Sequence, residues 1–267
     1  MANWNEILEE IKAEGSTYDI VRRKYLSKLH KLTKRNVIAY YSGWLQKPTA
    51  TSLSINDNDK NGFMSAINGL DRTKGLDLIL HTPGGDTAAT ESIIDYLKTM
   101  FDDIRVIVPQ LAMSGGTMIA CAAQKILMGK HSSLGPIDPQ FGGLAAHAIL
   151  EEFKTAHEEV KKDQTKAIVW QPIINKYTPT LIGECQKALK WSEDIAKTCL
   201  EDRMFDGDAD GPTKIENIMK ELGDHATNLS HARHLSAKKC DEIGLKIEML
   251  EDDSRLQNAV LSAHHIM

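Results

Sequence analysis

A short, continuous run of apolar residues that ends in a glycine-rich turn constrains the fold of this 267-residue chain more than any other feature. Residues 76–80 read LDLIL, and the turn at 81–86, HTPGGD, leads into a helical pattern. A second apolar run, IRVIV at 104–108, follows this helix and is ended by Pro109. Buried strands that alternate with helices are typical of a parallel sheet. The sequence therefore predicts an α/β fold.

Further strands and helices are predicted on both sides of this region. Additional strands are predicted at residues 36–42 and 125–128, and additional helices at residues 62–70, 114–123 and 256–265. Residues 133–140 are interpreted as a structured loop, and residues 238–247 as a helix end, a glycine stop and a short strand. A long helical pattern from 144 to 201 has predicted breaks near Asp163, Pro172 and Pro179.

Net charge and cysteine spacing narrow the class of protein. The net charge of −5 and the pI near 6.1 argue against nucleic acid as the principal partner. The cysteines form no CxxC pair and are predicted to be buried free thiols: Cys121, Cys185, Cys199 and Cys240. No secretion leader or membrane-spanning run is recognised. We expect a cytoplasmic protein, with peripheral membrane attachment as an alternative.

No metal and no cofactor are expected from the sequence. Residues 57–62, DNDKNG, match the first half of a calcium-binding loop, but its twelfth position is Asn68 rather than a bidentate glutamate. The two histidine pairs, His231 with His234 and His264 with His265, lack cysteine or carboxylate partners at the spacing of metal ligands. The acidic string and the histidines are therefore not interpreted as metal sites.

Two glycine-containing loops, at 81–85 and 113–118, each join a predicted strand to a predicted helix. Open α/β sheets place their sites at such strand ends. Ser114 lies at a predicted helix start, where its hydroxyl can project beside free N–H groups that bind an oxyanion. The candidate donors are the amides of Gly84, Gly85 and Gly115. A Ser-Gly-Gly string alone also fits a helix cap in a tight turn.

The order of these motifs is more specific than any one of them. The diglycine loop is followed by a helix, a strand, the string AMSGGTMIA at 112–120 and the string LGPIDPQ at 134–140. Across residues 76–141 the chain resembles the superfamily of Clp proteases and signal-peptide-peptidase-A enzymes, and within it the serine dehydrogenase proteinase family. The resemblance implies a Clp/crotonase-like fold of ββα repeats around a mostly parallel sheet.

The resemblance also implies an activity for the two loops. Ser114 would be the nucleophile of a serine peptidase that forms an acyl-enzyme, and Gly84, Gly85 and Gly115 would form a backbone oxyanion hole. The diglycine loop would align a peptide or unfolded protein as an added strand. Relatives of this fold assemble into closed particles, so a homo-oligomer is expected.

The base that activates Ser114 has two candidates. Clp proteases carry a histidine about 25 residues after the serine, and this chain has Asp138 in that stretch. Signal-peptide-peptidase-A relatives use a lysine on a later helix, which points to Lys154. As a base, Lys154 must be buried beside Ser114 to lower its pKa; otherwise it is a surface lysine paired with Glu151. His157 is the second candidate.

Two further residues of this region have open interpretations. Asp138 either orients a base, forms part of the substrate channel or simply occupies a turn between two prolines. His81, which precedes the diglycine loop, either lines the same cleft or is a packed histidine.

We expect three regions and retain two other functions. The regions are an N-terminal two-helix arm (1–35), a Clp-like catalytic core (36–165) and a helical C-terminal extension that packs on the core (166–267). The basic arm is either a surface for a protein or an anionic membrane, or a solvated helix packed on the core. The alternative functions are an inactive scaffold or adaptor, and a crotonase-like enzyme that acts on acyl thioesters.

Overall fold

The computed structural model describes residues 9, 11–12, 18–47, 49–223 and 233–267. The first predicted arm helix lies mainly outside these residues, and so does His231. The described helices are α1 (Tyr18–Thr33), α2 (Asp57–Ile67), α3 (Thr87–Met100), α4 (Gly115–Cys121), α5 (Ala146–Lys162), α6 (Ala167–Ile174), α7 (Leu181–Cys199), α8 (Gly211–Gly223), α9 (Ala237–Glu242) and α10 (Ser254–His265). The strands are β1 (Asn36–Tyr41), β2 (Leu76–His81), β3 (Ile104–Val108), β4 (Leu111–Ala112), β5 (Lys125–Met128), β6 (Ser133–Leu134), β7 (Gln140–Phe141), β8 (Leu144–Ala145), β9 (Leu235–Ser236) and β10 (Ile247–Met249).

A five-stranded sheet in the order β1-β2-β3-β5-β10 forms the centre of the molecule, and all of its strand pairs are parallel. The apolar run at 76–80 lies in β2 between β1 and β3, and every residue of β2 is buried. The strands β4, β6 and β9 form a small second sheet beside it, and β7 and β8 form a hairpin. The predicted α/β fold with a mostly parallel sheet is confirmed.

Helices cover both faces of the central sheet. Successive strand residues point to opposite faces, so Leu78 and Leu80 lie on one face and Ile79 on the other. We call the side of Leu78 and Leu80 the front face; α2, α3, α4 and the end of α7 pack there. We call the side of Ile79 the back face, where Leu29 of α1 and Val260 of α10 pack. The described helix of the basic arm therefore packs on the core, against α10.

A buried ion-pair network lies on the back face at the start of β2. Asp77 is 1% exposed and accepts hydrogen bonds from Arg35 Nε at 2.6 Å and from Arg105 Nη2 at 2.7 Å. Arg35 also pairs with Asp103, next to the start of β3. Because Arg35 lies between α1 and β1, this network holds the end of α1 against three strands of the sheet.

Two predicted helix boundaries were wrong. The helix predicted at 62–70 begins at Asp57, because Asn56 and Asp59 form a capping box at its first turn. The segment that resembles half of a calcium-binding loop is therefore the start of a helix. Asp59 accepts hydrogen bonds from Asn56 N at 2.8 Å and from the Tyr40 hydroxyl at 3.0 Å. Pro172 lies inside α6 and does not end it, although a proline at this position removes one helical hydrogen bond.

The other breaks and the cysteines agree with expectation. The long helical region is interrupted at Asp163, and Pro179 lies between α6 and α7. The predicted loop at 133–140 includes β6 and the first residue of β7. All four cysteines are free and buried.

Candidate active site

Ser114 lies at a sharp turn between β4 and α4. Its backbone has φ +50° and ψ −111°, a conformation that residues other than glycine rarely adopt. Such a conformation costs on the order of 1–3 kcal/mol and is concentrated at functional sites. It is also the geometry of a nucleophile elbow, where a strained strand-to-helix turn presents a serine hydroxyl. Although Ser114 precedes α4, its side chain does not cap the helix. The helix-cap interpretation of Ser114 is therefore wrong.

The diglycine loop lies directly against this turn. A Cβ atom built on Gly84 would lie 2.7 Å from the Met113 carbonyl oxygen and 2.8 Å from Ser114 Cβ. Gly84 also has φ +92°, which favours glycine. Ile55 anchors the loop, because its N–H donates to the Gly84 carbonyl at 2.8 Å and its own carbonyl accepts from Asp86 N at 2.9 Å. Glycine at position 84 thus allows the loop backbone to touch the serine.

The amides of the three candidate oxyanion donors differ in what they contact. Gly84 N donates to the Thr82 hydroxyl at 3.2 Å. Neither Gly85 N nor Gly115 N has a hydrogen-bond acceptor among the described residues. Gly85 is exposed and Gly115 is the first residue of α4, so both amides are available to a bound group. They lie in the loop and at the helix start that flank Ser114.

These loops open onto a cavity of about 770 Å³ that contains Ser114. One wall is formed by α7, whose cavity-lining residues recur at helical spacing: Glu184, Lys187, Ala188, Trp191 and Ser192. The indole N–H of Trp191 donates to Glu91 at 3.1 Å, which ties this wall to α3. The opposite wall is the segment 137–141.

The segment 133–141 is held against the serine turn by side chains of the turn and of α4. The Thr117 hydroxyl of α4 donates to the Gly135 carbonyl at 2.8 Å, and a Cβ atom at Gly135 would lie 2.7 Å from the end of the Met113 side chain. Asp138 is 4% exposed and lines the cavity. The structure therefore brings Ser114, the diglycine loop and Asp138 together.

The predicted bases are not in this cavity. Lys154 and His157 are exposed on α5, and neither lines the cavity of Ser114 within one chain. The burial expected of Lys154 is thus not observed, because α5 directs Ile149 and Ala156 inward and Lys154 lies on another side of the helix. His157 instead borders an apolar groove between α5 and α6.

Lys187 is a cavity residue that the sequence analysis did not identify. Its Nζ atom lies 3.0 Å from Glu184 Oε1, and the side chain is 77% exposed. Helical spacing groups it with Trp191 on one face of α7, yet spacing alone does not reveal which face of which helix meets Ser114. No other lysine or histidine among the described residues lines this cavity.

His81 does not line the cavity but is packed on the back face. It is fully buried between the rings of Trp44 and Tyr41, whose centroids are 4.4 Å and 5.1 Å away. Burial lowers the pKa of His81 to about 4, against a hydrogen bond with Gln110 that opposes the shift. His264 of α10 lies edge-on to His81 at 5.3 Å, and burial lowers the pKa of His264 to about 3.

The fold and the site together define a class of protein. A parallel α/β sheet carries, at one strand-to-helix turn, a strained serine that touches a diglycine loop, as in ClpP-like proteins. The sequence profile of the ClpP-like SDH-type serine proteinases matches residues 12–251. The chain therefore belongs to this family of serine proteinases.

Individual relatives agree with this assignment. An uncharacterized protein of Methanocaldococcus jannaschii, MJ0137, is 34% identical over 192 residues, which cover 65% of this chain and 66% of that protein. A second protein of that organism, MJ1495, is 32% identical over 75% of this chain and 60% of its own length. The ATP-dependent Clp protease proteolytic subunit of Streptococcus thermophilus is 34% identical over 74 residues, or 27% of this chain and 38% of that subunit. The chain thus spans somewhat less than two thirds of the length of the two archaeal relatives.

Within the described ranges, no helix combines the length and the apolar character needed to cross a bilayer. The same residues contain no group of three or more histidine, cysteine or acidic side chains placed to hold a metal ion.

Proposed function

We propose that this protein is a serine endopeptidase that hydrolyses peptide bonds through an acyl-enzyme on Ser114. Membership in a serine proteinase family supports the reaction class. The observation that carries the proposal is the backbone of Ser114 at φ +50°, which holds the serine beside the free amides of Gly85 and Gly115. Strain at a helix start that performs no capping is otherwise unexplained.

The geometry supports the following steps. The Ser114 oxygen attacks the peptide carbonyl carbon, and its proton passes to a base. The amides of Gly85 and Gly115 stabilise the resulting oxyanion, while Gly84 shapes the loop that carries Gly85. The C–N bond then breaks, the leaving amine takes the proton from the base, and water hydrolyses the acyl-enzyme. The peptide lies in the cavity between the diglycine loop and the segment 137–141.

The base is proposed to be a lysine. Within one chain, Lys187 is the amine that lines the cavity. Its Nζ atom is ion paired with Glu184, so the bound substrate must open this pair before Lys187 can accept the proton of Ser114. Lys154 remains the alternative, and its exposed position means that a neighbouring chain of a homo-oligomer must supply it.

A fluorophosphonate probe tests the nucleophile. The assembled wild-type protein should be labelled at one site per chain, and Ser114→Ala should abolish the labelling. Ser54→Ala is the matched control, because Ser54 lines the same cavity but is not at the elbow, and it should be labelled as the wild type. Labelling that persists in Ser114→Ala would contradict the proposal.

Single alanine variants distinguish the two lysines. The variant that loses the base should lose on the order of 10²–10⁴-fold in kcat, and the acidic limb of its pH profile should disappear. Lys190→Ala, an exposed lysine of α7 outside the cavity, is the control. Full activity in both Lys154→Ala and Lys187→Ala would exclude both residues as the base.

One observation favours a second candidate function, that of a scaffold or adaptor. Among the described residues, Lys187 is the only lysine or histidine that lines the cavity, and it is exposed and ion paired with Glu184. A scaffold would bind peptides without being labelled by the probe in any assembly state. Turnover of an acyl thioester instead of a peptide would indicate the crotonase-like alternative.

A further inference from the structure

The outer face of α1 is a concentrated positive surface on an acidic protein. Residues 18–34 contain one carboxylate, Asp19, and six cations: Arg22, Arg23, Lys24, Lys28, Lys31 and Lys34. The segment therefore has a net charge of +5, whereas the whole chain has −5. Asp19 is itself paired with Arg22 at 2.7 Å. Residues 18–34 thus carry a local excess of positive charge.

Packing decides which side of this helix faces outward. Val21 and Leu29 are 0% and 1% exposed and face α10 and the back face of the sheet. Arg23, Lys28 and Lys31 are exposed on the remaining surface. The helix is fixed along its length to α10, so only a flat, basic strip is presented to a partner.

An exposed apolar side chain lies at the start of this strip. Ile20 is 52% exposed. Leu32 is 38% exposed at the other end of the helix, but helical geometry places it on the side of the buried Val21 and Leu29. Ile20, Lys24, Lys28 and Lys31 recur at intervals of four, four and three, which places them on one face. Lysine stems around exposed apolar residues are typical of a helix that lies in a membrane interface.

We propose that this outer face of α1 binds the surface of a membrane that contains anionic phospholipids. The lysines and Arg23 contact the headgroups, and Ile20 enters the interface. Charge complementarity supplies most of the attraction, because each basic residue near an anionic surface strengthens binding about fivefold. The acidic remainder of the chain does not cancel this attraction, since charges farther away than about 8 Å are largely screened at physiological salt.

Other anionic partners fit this surface less well. A duplex nucleic acid offers its phosphates to the lysines but gains nothing from the exposed Ile20. A polyphosphate likewise gains nothing from Ile20. Because α1 lies on the back face and the cavity of Ser114 is built by front-face elements, attachment leaves the cavity accessible. The inference does not depend on the proposed peptidase activity.

Sedimentation with lipid vesicles tests the basic strip. The full chain should bind vesicles of phosphatidylserine and phosphatidylcholine, bind pure phosphatidylcholine far more weakly, and be released by 0.5 M salt, above which the Debye length falls to only a few ångströms. Replacing Lys24, Lys28 and Lys31 by glutamate should weaken binding at least a hundredfold, as the fivefold factor per lysine compounds. Glutamate at Lys161, Lys162 and Lys220, three exposed lysines elsewhere, makes the same charge change and should leave binding within threefold of wild type.

A second pair of variants separates a membrane from a purely electrostatic partner. Ile20→Gln should weaken vesicle binding several-fold, whereas Met64→Gln, which removes an equally exposed apolar side chain from α2, should not. Equal binding by the Lys24/Lys28/Lys31 variant and its control would overturn the proposal. Tighter binding to duplex DNA than to vesicles at the same salt would also overturn it and would indicate a nucleic-acid surface.

Discussion

The polar groups on the two faces of the central sheet differ in their access to solvent. On the front, a strained serine and two amides without acceptors open onto a cavity. On the back, the polar residues of β2 are shielded from solvent: Asp77 forms ion pairs with two arginines, and His81 is stacked between aromatic rings. The polar groups of the front face line a cavity, whereas those of the back face are closed off from solvent by packing, and there His81 Nδ1 has no hydrogen-bond partner. This contrast predicts which substitutions affect activity and which affect stability.

The largest effect on stability is expected at Asp77. Alanine at this position leaves the part-buried guanidinium groups of Arg35 and Arg105 without their carboxylate, and loss of one partner from a buried ion pair costs about 3–5 kcal/mol. The free energy of unfolding, measured by urea denaturation, should fall by this amount. Glu248→Ala removes an exposed partner of Lys125 and should change it by less than about 1 kcal/mol. Similar values for both variants would show that the back-face network is not tightly coupled.

Alanine variants of two glycines test whether the diglycine loop positions the oxyanion donors at the front face. Gly84 and Gly143 have positive φ values of +92° and +84°, but only Gly84 has the serine turn within contact distance of a new Cβ. Both alanine variants should lose roughly 1 kcal/mol through backbone strain. Gly84→Ala should lose about 1–3 kcal/mol more through overpacking and should no longer react with a fluorophosphonate probe. Equal probe reactivity in the two variants would mean that the loop does not position the oxyanion donors.

Acid should destabilise the back face. The folded-state pKa values of His81 and His264, about 4 and about 3, lie below the ordinary value of 6.5, so the unfolded chain takes up these protons first. Stability is therefore complete above pH 6.5 and falls as the pH drops toward 4, by up to roughly 1.4 kcal/mol per pH unit for each histidine.

Urea midpoints at pH 7.5, 6 and 5 measure this dependence. His81→Asn removes one of the two histidines and should reduce the change of the urea midpoint with pH. His157→Gln replaces an exposed imidazole and should leave this pH dependence as it is in the wild type. The other groups around the pair are Tyr41, Gln110, His131 and His265, and none of them is a carboxylate that could stabilise the protonated form. A pH dependence in His81→Asn equal to that of the wild type would contradict the prediction that buried His81 causes the loss of stability in acid.

The smallest expected effect concerns the strain at Ser114 itself. Glycine tolerates φ +50° and alanine does not, so Ser114→Gly should be more stable than Ser114→Ala by about 1 kcal/mol. Neither variant should be labelled by the probe. Thermal midpoints of the two variants provide the comparison, and Ser192→Gly and Ser192→Ala, within α7, should show the opposite order because glycine destabilises helices.

Much of this arrangement was predictable from local patterns. The bounds of β3 and β5 follow from runs of apolar β-formers and match the predicted residues. The diglycine loop and the serine turn are recognisable because glycine and serine are required at defined points of a strand-to-helix connection. The start of α2 was missed because the polar residues that suggested a loop instead form a capping box.

The sequence could not predict which lysine lies in the cavity of Ser114. Lys154 and Lys187 both lie on amphipathic helices at plausible distances along the chain, and a local pattern treats them alike. Only the packing of α7 against the front of the molecule puts Lys187 in the cavity and leaves Lys154 exposed.

The sequence by itself determined the parallel sheet, the two glycine loops and the position of Ser114, because these depend on residue type and spacing over a few neighbours. The tertiary structure alone decided which amides are free, that His81 is sealed on the back face, and which face of α1 carries the exposed charge. Those properties depend on contacts between residues far apart in the chain, and helical or strand periodicity contains no information about which elements meet.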